Sequence, residues 1–161
     1  MDLEALKKAL ASRLHGVRPE SVVLVGVGNR LRGDDAIGPA IIDMLKGHVP
    51  HALDVGEAPE NYTSMIKRLK PSVIIFLDAL DFGGMPGSVT LVESEEIQRY
   101  GASTHGLSLE VAMDYLRLET GAVVFLIGVQ PERVGEGEGL SPSLVKPIND
   151  LARALIEAIQ N

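Results

Sequence analysis

Three runs of apolar, largely β-branched residues constrain this chain more than any other feature: Val22-Val-Leu-Val, Val73-Ile-Ile-Phe-Leu and Ala122–Val129. A strand that is apolar at every position, rather than at every second one, is buried on both faces and needs a packed layer on each side. Between the runs, apolar residues recur at helical spacing. Leu3, Leu6, Leu10 and Leu14 form one such face, Ala36-Ile37, Ala40-Ile41 and Met44-Leu45 a second, and Leu144, Ile148, Leu151, Leu155 and Ile159 a third. Buried strands alternating with amphipathic helices read as an α/β fold with a mostly parallel sheet covered on both faces.

The remaining elements fit that frame. Ala52–Val55 reads as a short strand, Asn61–Leu69 as a helix stopped by Pro71, and Leu107–Leu118 as another helix. The strand Val73–Leu77 is read as ending at Asp78, and Ser88–Val92 as an edge strand with Val89 and Leu91 inward. Pro39 is compatible with its helix only within the first turn, where missing N–H groups cost little. Ser141 followed by Pro142 reads as a cap and first helical position. In such sheets the functional crevice lies at the carboxyl ends of the strands, near the switch in strand order. The segments after Gly26, Leu77 and Val129 are therefore expected to converge, with the 99–107 loop beside them.

Composition removes several function classes. The 161 residues fit one domain spanning 1–161, and none is cysteine. That excludes disulfides, thiolate zinc sites, Fe–S clusters and a cysteine nucleophile. A formal charge of −7 argues against nucleic acid, which needs a basic face. The N-terminus lacks the apolar core of a secretory signal, and Ala122–Val129 is far shorter than the roughly 18 residues of a membrane span, so a cytoplasmic location is expected.

Gly26-Val-Gly-Asn-Arg-Leu-Arg-Gly-Asp-Asp imitates a nucleotide loop and fails as one. Leu31 breaks GxGxxG, and where a P-loop continues with Lys and Ser/Thr this chain has Asp34 and Asp35, which repel phosphate. One aspartate of the pair is expected to cap the following helix. The other, directed away from it, suits a hard or borderline cation. Asp78 and Asp81 follow the second apolar run and read either as solvated loop acids or as part of the same cation site. Asp81-Phe-Gly mimics a kinase motif without its companion segments. His105, in Ser-Thr-His-Gly-Leu, precedes a helix with Ser103 or Thr104 available as a cap, whereas His15, His48 and His51 read as surface residues. HExxH, GxSxG and Asp-Thr/Ser-Gly are all missing from the sequence. Asp35, Asp78 and His105 together offer two carboxylates and one imidazole with open coordination positions. Spacing alone reaches a cation site in an α/β crevice.

In order, four segments resemble the hydrogenase maturation endopeptidases, which trim the C-terminal tail from the large subunit of NiFe hydrogenase. They are Gly26-Val-Gly-Asn-Arg-Leu-Arg-Gly-Asp-Asp-Ala-Ile-Gly, Leu77-Asp-Ala, Ser103-Thr-His-Gly-Leu-Ser-Leu, and Ile127-Gly-Val-Gln-Pro-Glu with Gly139-Leu-Ser-Pro. The resemblance spans roughly residues 21–160. It implies a three-layer α/β/α sandwich with a five-stranded sheet, and it puts Asp35, Asp78 and His105 on the family's metal positions. It also implies that nickel, carried by the substrate, is the recognition element, and that other divalent ions can occupy the site. Gly56-Glu-Ala-Pro-Glu-Asn, Asp78-Ala-Leu-Asp and Gln130-Pro-Glu are most similar to the branch serving hydrogenase 3 of formate hydrogenlyase, whose substrates are membrane-associated. The partner implied is a large-subunit precursor; the chain itself is expected to be a monomer and not to insert into the membrane.

Two positions depart from the family pattern. Position 35 is Asp where much of the family has Glu, though the hydrogenase 3 type also uses Asp, and Ala36 replaces a frequent glycine. Residues 1–20 form an extra N-terminal helix without a family counterpart, expected to cover the sheet. The catalytic assignment covers Asp35, Asp78 and Asp34, and the bond-cutting step has two forms. Either the metal polarises the carbonyl or activates water, or a free carboxylate, Asp34 or Asp81, is the general base. A non-catalytic nickel- or precursor-binding module on the same fold is the alternative, with a nucleotide-binding α/β protein behind it.

Overall fold

The computed structural model describes residues 1–100 and 105–161. Strands β1 (Val22–Gly26), β2 (Ala52–Asp54), β3 (Val73–Ala79), β4 (Val89–Val92) and β5 (Val123–Val129) build one sheet in the order β2-β1-β3-β5-β4. All neighbours are parallel except β4, which runs antiparallel along β5 with Val89 opposite Val129.

The fully apolar strands divide their side chains between two core layers. Val22, Leu24, Ile75, Leu77, Phe125 and Ile127 pack with α1 (Leu3–Leu14), α2 (Ile37–Leu45) and α5 (Val145–Gln160). Val23, Val25, Ile74, Phe76 and Leu126 face α3 (Thr63–Arg68) and α4 (Gly106–Thr120), meeting Ile66, Leu109 and Met113. The result is the α/β/α sandwich with a five-stranded, mostly parallel sheet.

Several element ends differ from the sequence reading. Strand β3 does not stop before Asp78; it continues to Ala79, with Asp78 opposite Gly128. Main-chain pairing with β5 carries the strand past the point where the apolar pattern ends. On β4, Val89 is buried and Leu91 half-buried against the α1–α5 layer, so the inward pair shares one face, while Val92 joins the other layer. The helix expected over 61–69 is a 3-10 turn, Pro59–Tyr62, followed by α3. Pro39 lies in the first turn of α2. Ser141 makes no capping bond to its own turn, and a 3-10 turn, Pro142–Leu144, leads into α5. The Ser103 or Thr104 cap lies outside the described residues.

Within residues 1–20 the helix itself is Leu3–Leu14, capped by Asp2, whose Oδ1 accepts from the Ala5 amide at 2.8 Å. Leu6, Leu10 and Leu14 are buried, Arg13 lies 4.5 Å above the Phe125 ring, and the Met1 ammonium donates to the Val89 carbonyl at 2.9 Å. The segment thus covers the β4–β5 side of the sheet.

Gly38 brings α2 onto the sheet. A Cβ there would sit 2.3 Å from the Val27 carbonyl oxygen and 2.6 Å from that of Leu77. Both contacts are with backbone and cannot rotate away. Gly38→Ala is therefore expected to cost about 2 kcal/mol or more, a fall in Tm of roughly 4–8 °C, measurable by calorimetry.

Strand β1 is followed in sequence by β2 on one side and paired with β3 on the other, so the order reverses between β1 and β3. Their carboxyl ends open the crevice where α/β sheets bind ligands. Among the described residues, no helix is long and apolar enough to cross a membrane.

Candidate metal centre

The chain leaves β1 through Gly28, whose φ of +149° and 2.0 Å approach of a built Cβ to the Asp35 carbonyl oxygen exclude any side chain. A single 3-10 turn, Asp34–Ala36, then presents the two aspartates in opposite roles. Asp35 turns into the crevice. Its Oδ2 accepts from the Asn29 amide at 2.8 Å, and its oxygens lie 3.3 and 3.2 Å from His105 Nε2. Asp78 joins them from the end of β3. One ligand atom from each of Asp35, Asp78 and His105 lies within 4.8 Å of the others, and the three residues are 5%, 1% and 5% exposed.

Asp78 is the anomaly of this group. Neither of its carboxylate oxygens has a hydrogen-bond partner among the described residues. Buried polar atoms are almost always paired, so an orphaned carboxylate calls for an explanation such as an ion. Burial pushes the Asp78 pKa well above the usual carboxylate range; His105 opposes the shift, Asp35 adds to it, and the neighbouring Ala79 amide opposes it weakly. Asp35 goes the other way. Burial would raise its pKa, but the bond to His105, the Asn29 amide and nearby positive charge hold it below the ordinary value. His105 is raised, first by its bond to Asp35, against burial, with further support from the charges of Asp78, Asp35 and Glu57. The donor set, two carboxylate oxygens and an imidazole, fits a borderline divalent ion with positions left for further ligands.

Asp34 does not cap the helix, as one of the pair was expected to; neither aspartate makes a capping bond to the turn or to α2. Asp34 is fully buried and instead accepts four hydrogen bonds: from the amides of Glu132 (2.9 Å), Arg133 (2.7 Å) and Ser141 (2.7 Å), and from the Ser141 hydroxyl (2.8 Å). Burial tends to raise its pKa, and these donors outweigh that and hold it low. The Ser141 side chain that sequence reasoning assigned to capping is spent here. Main-chain bonds from Gly33 to Gly137 and from Asp34 to Arg133 complete the tie between the glycine loop and the segment after β5.

Asp81 is exposed and sits outside the trio, its Oδ1 accepting from the Gly83 amide and from Gln130 Nε2 at 3.2 and 3.1 Å. His15 and His48 are exposed and His51 half-buried, away from this cluster. Sequence reasoning missed Asn29, which holds Asp35 through its amide and Glu57 through its side chain at 3.2 Å. It also missed Arg30, clamped by Asp43 at 2.7 and 2.9 Å and by Asp54 at 2.9 Å. The polar residues directly after Gly28 were the available signal.

Comparison with known proteins agrees with the geometry. The family profile for hydrogenase maturation protease, HycI, matches residues 41–159. The Hydrogenase 3 maturation protease of Escherichia coli K12 is 32% identical over 143 residues, covering 86% of this chain and 88% of its own length. The crystal structure of the HycI protease from Thermococcus kodakarensis KOD1 superimposes with a TM-score of 0.83 at 34% identity, over 95% of this chain and 99% of that one. The E. coli maturating endopeptidase HybD gives a TM-score of 0.71 at 26% identity, over 86% and 91%. With the fold shared over 95% of its length and the family profile matching residues 41–159, this chain belongs to the hydrogenase maturation protease family and is a peptide-bond hydrolase of that family.

Proposed function

We propose that the protein removes the C-terminal extension of a nickel-loaded NiFe-hydrogenase large-subunit precursor, with the substrate's nickel as the recognition element. The observation that carries this reading is Asp78, a buried carboxylate without a partner beside the Asp35–His105 pair. Nickel held by the precursor's own thiolates would take its remaining ligands from Asp35, Asp78 and His105. The enzyme has no cysteine to compete for the ion.

Peptide hydrolysis adds water across the scissile bond: oxygen joins the carbonyl carbon, the C–N bond breaks, and the leaving nitrogen takes a proton. Asp35 and Asp78 are the carboxylates closest to that event, and His105 holds Asp35 in place. Asp34 is here a positioning residue rather than a base, because its acceptor sites are filled by Glu132, Arg133 and Ser141. The 32% identity to a Hydrogenase 3 maturation protease supports a hydrogenase 3-like substrate; a membrane-associated precursor met by a cytoplasmic monomer completes the proposal.

The test incubates nickel-loaded and nickel-free precursor with wild-type protein and with Asp35→Ala, Asp78→Ala and His105→Ala, following the tail by mass spectrometry. Wild type should trim the loaded precursor alone, and each variant should lose about 100-fold or more, beyond the effect usual for an outer-shell partner. Equal trimming of nickel-free precursor overturns nickel recognition. Full activity in all three variants overturns the site.

A further inference from the structure

Helix α4 is apolar on two sides. Leu109, Ala112, Met113 and Leu116 are buried, as the inner face of a surface helix should be. Leu107, Val111, Tyr115 and Leu118 are exposed by 71%, 54%, 42% and 80%. At 3.6 residues per turn these four positions fall within an arc of about 80° and extend over about 16 Å of helix. A water-facing helix side is normally polar, so a second apolar stripe singles this face out as a place to look for a partner. The stripe is also partly fixed in place. Lys67 of α3 lies 5.2 Å from the Tyr115 ring centroid and donates to its hydroxyl at 3.1 Å and to Glu119 at 2.9 Å. A held aromatic ring loses little further freedom on binding.

We propose that this stripe docks the folded body of the hydrogenase large-subunit precursor, as distinct from the tail that is cut; the inference rests on the function proposed above. Continuity gives the first argument. His105 stands immediately before the first residue of α4, and Leu107 follows it by two positions, so a protein that brings a metal to His105 meets the near end of the stripe. Area gives the second. Four side chains of this size, partly exposed, offer on the order of 300 Å², whereas a stable dimer buries about 800 Å² per partner. That is too little to hold a second copy of this chain by itself. It is enough for one half of a contact whose other half is the crevice. An apolar groove or helix face on the precursor is the matching chemistry, and docking there would position the tail without contacting the scissile bond.

The discriminating variant is Val111→Glu with Leu118→Glu, accompanied by the milder Val111→Ser with Leu118→Gln in case the charged pair disturbs folding. Both are assayed on the nickel-loaded precursor, and affinity for that precursor is also measured directly by interferometry, whether or not cleavage occurs. The expected result is a rise of about 10-fold or more in KM and in precursor Kd for the charged pair, with kcat unchanged. Nickel binding by the variant alone, followed calorimetrically, should match wild type. An unchanged Kd overturns the docking surface, as does a fall in kcat at constant KM. So does sedimentation of wild type as a dimer that the charged pair dissociates, which would assign the stripe to a second copy. Failure of wild type to discriminate nickel-loaded from nickel-free precursor would instead strike the proposed function, leaving the Kd comparison to judge the stripe on its own.

Discussion

Replacing Asp78 by asparagine is expected to make the ion-free protein more stable and the enzyme inactive. Asp78 is 1% exposed and neither oxygen meets a donor in good hydrogen-bonding geometry, the Ala79 amide giving only weak support, so the folded chain carries most of the cost of a desolvated carboxylate. A neutral amide of the same shape reduces that cost, by about 1–2 kcal/mol, or roughly 2–8 °C in Tm. The sign of the pH dependence follows from the raised pKa of Asp78 in the folded state. A raised acid is favourable below its unfolded value, about 3.9, and loses stability as pH climbs from there towards the folded value. The advantage of Asp78→Asn should therefore be small near pH 4, grow with pH and then level off. Calorimetric scans of chelator-treated protein at several pH values measure it. Added nickel should reverse the order, because an ion that binds only the folded wild type stabilises it by mass action. An Asp78→Asn protein less stable than wild type without any ion would overturn this, showing that the Ala79 amide and His105 already satisfy the carboxylate.

Asp34→Asn should have the opposite character, a large loss of stability with Asp35, Asp78 and His105 themselves untouched. Four donors converge on the two oxygens of Asp34, and an amide in its place turns one acceptor into a donor facing donors. Hydrogen bonds to a charged acceptor are worth about 1.5–3 kcal/mol each, and stranded buried donors cost a similar amount, so a loss of about 3 kcal/mol is a lower estimate. That corresponds to roughly 6–12 °C in Tm. Because the folded pKa of Asp34 is held low, its contribution is complete above the unfolded value and fades as pH falls through the folded one. The gap between wild type and variant should close in acid, below about pH 4. Urea denaturation at pH 7 and at pH 3.5 distinguishes this from a simple packing defect, whose gap would stay constant.

The contrast between these neighbouring predictions bears on what was legible in the sequence. The parallel sheet was readable because Val22–Val25 and Val73–Leu77 are apolar at every position, a pattern that only two-sided burial explains. Asp35, Asp78 and His105 could be singled out as acids and an imidazole at element ends, and the structure brings their ligand atoms within 4.8 Å. The division of labour between Asp34 and Asp35 was not readable. The partners of Asp34 are 98 to 107 residues away, on a loop whose glycines and glutamates carry no periodicity to announce it. The same long-range bond explains why Ser141, which looks locally like a cap, is not one. The stop at Asp78 failed for a related reason: pairing with β5 depends on backbone geometry, to which a hydrophobicity pattern is blind.

The spacing of the three crevice residues has one further consequence. His105 and Asp35 are 70 positions apart, and Asp78 reaches them from a different strand. Local metal motifs can capture an ion on an unfolded or half-synthesised chain; this set cannot, because its members meet only after β1, β3 and α4 have come together. Unfolded copies, without thiols, would be poor scavengers of a scarce metal. An ion could therefore be held at this cluster only late, once the fold is finished, and under the proposed function a cell making this protein in excess would not starve the pathway that supplies nickel to the precursor.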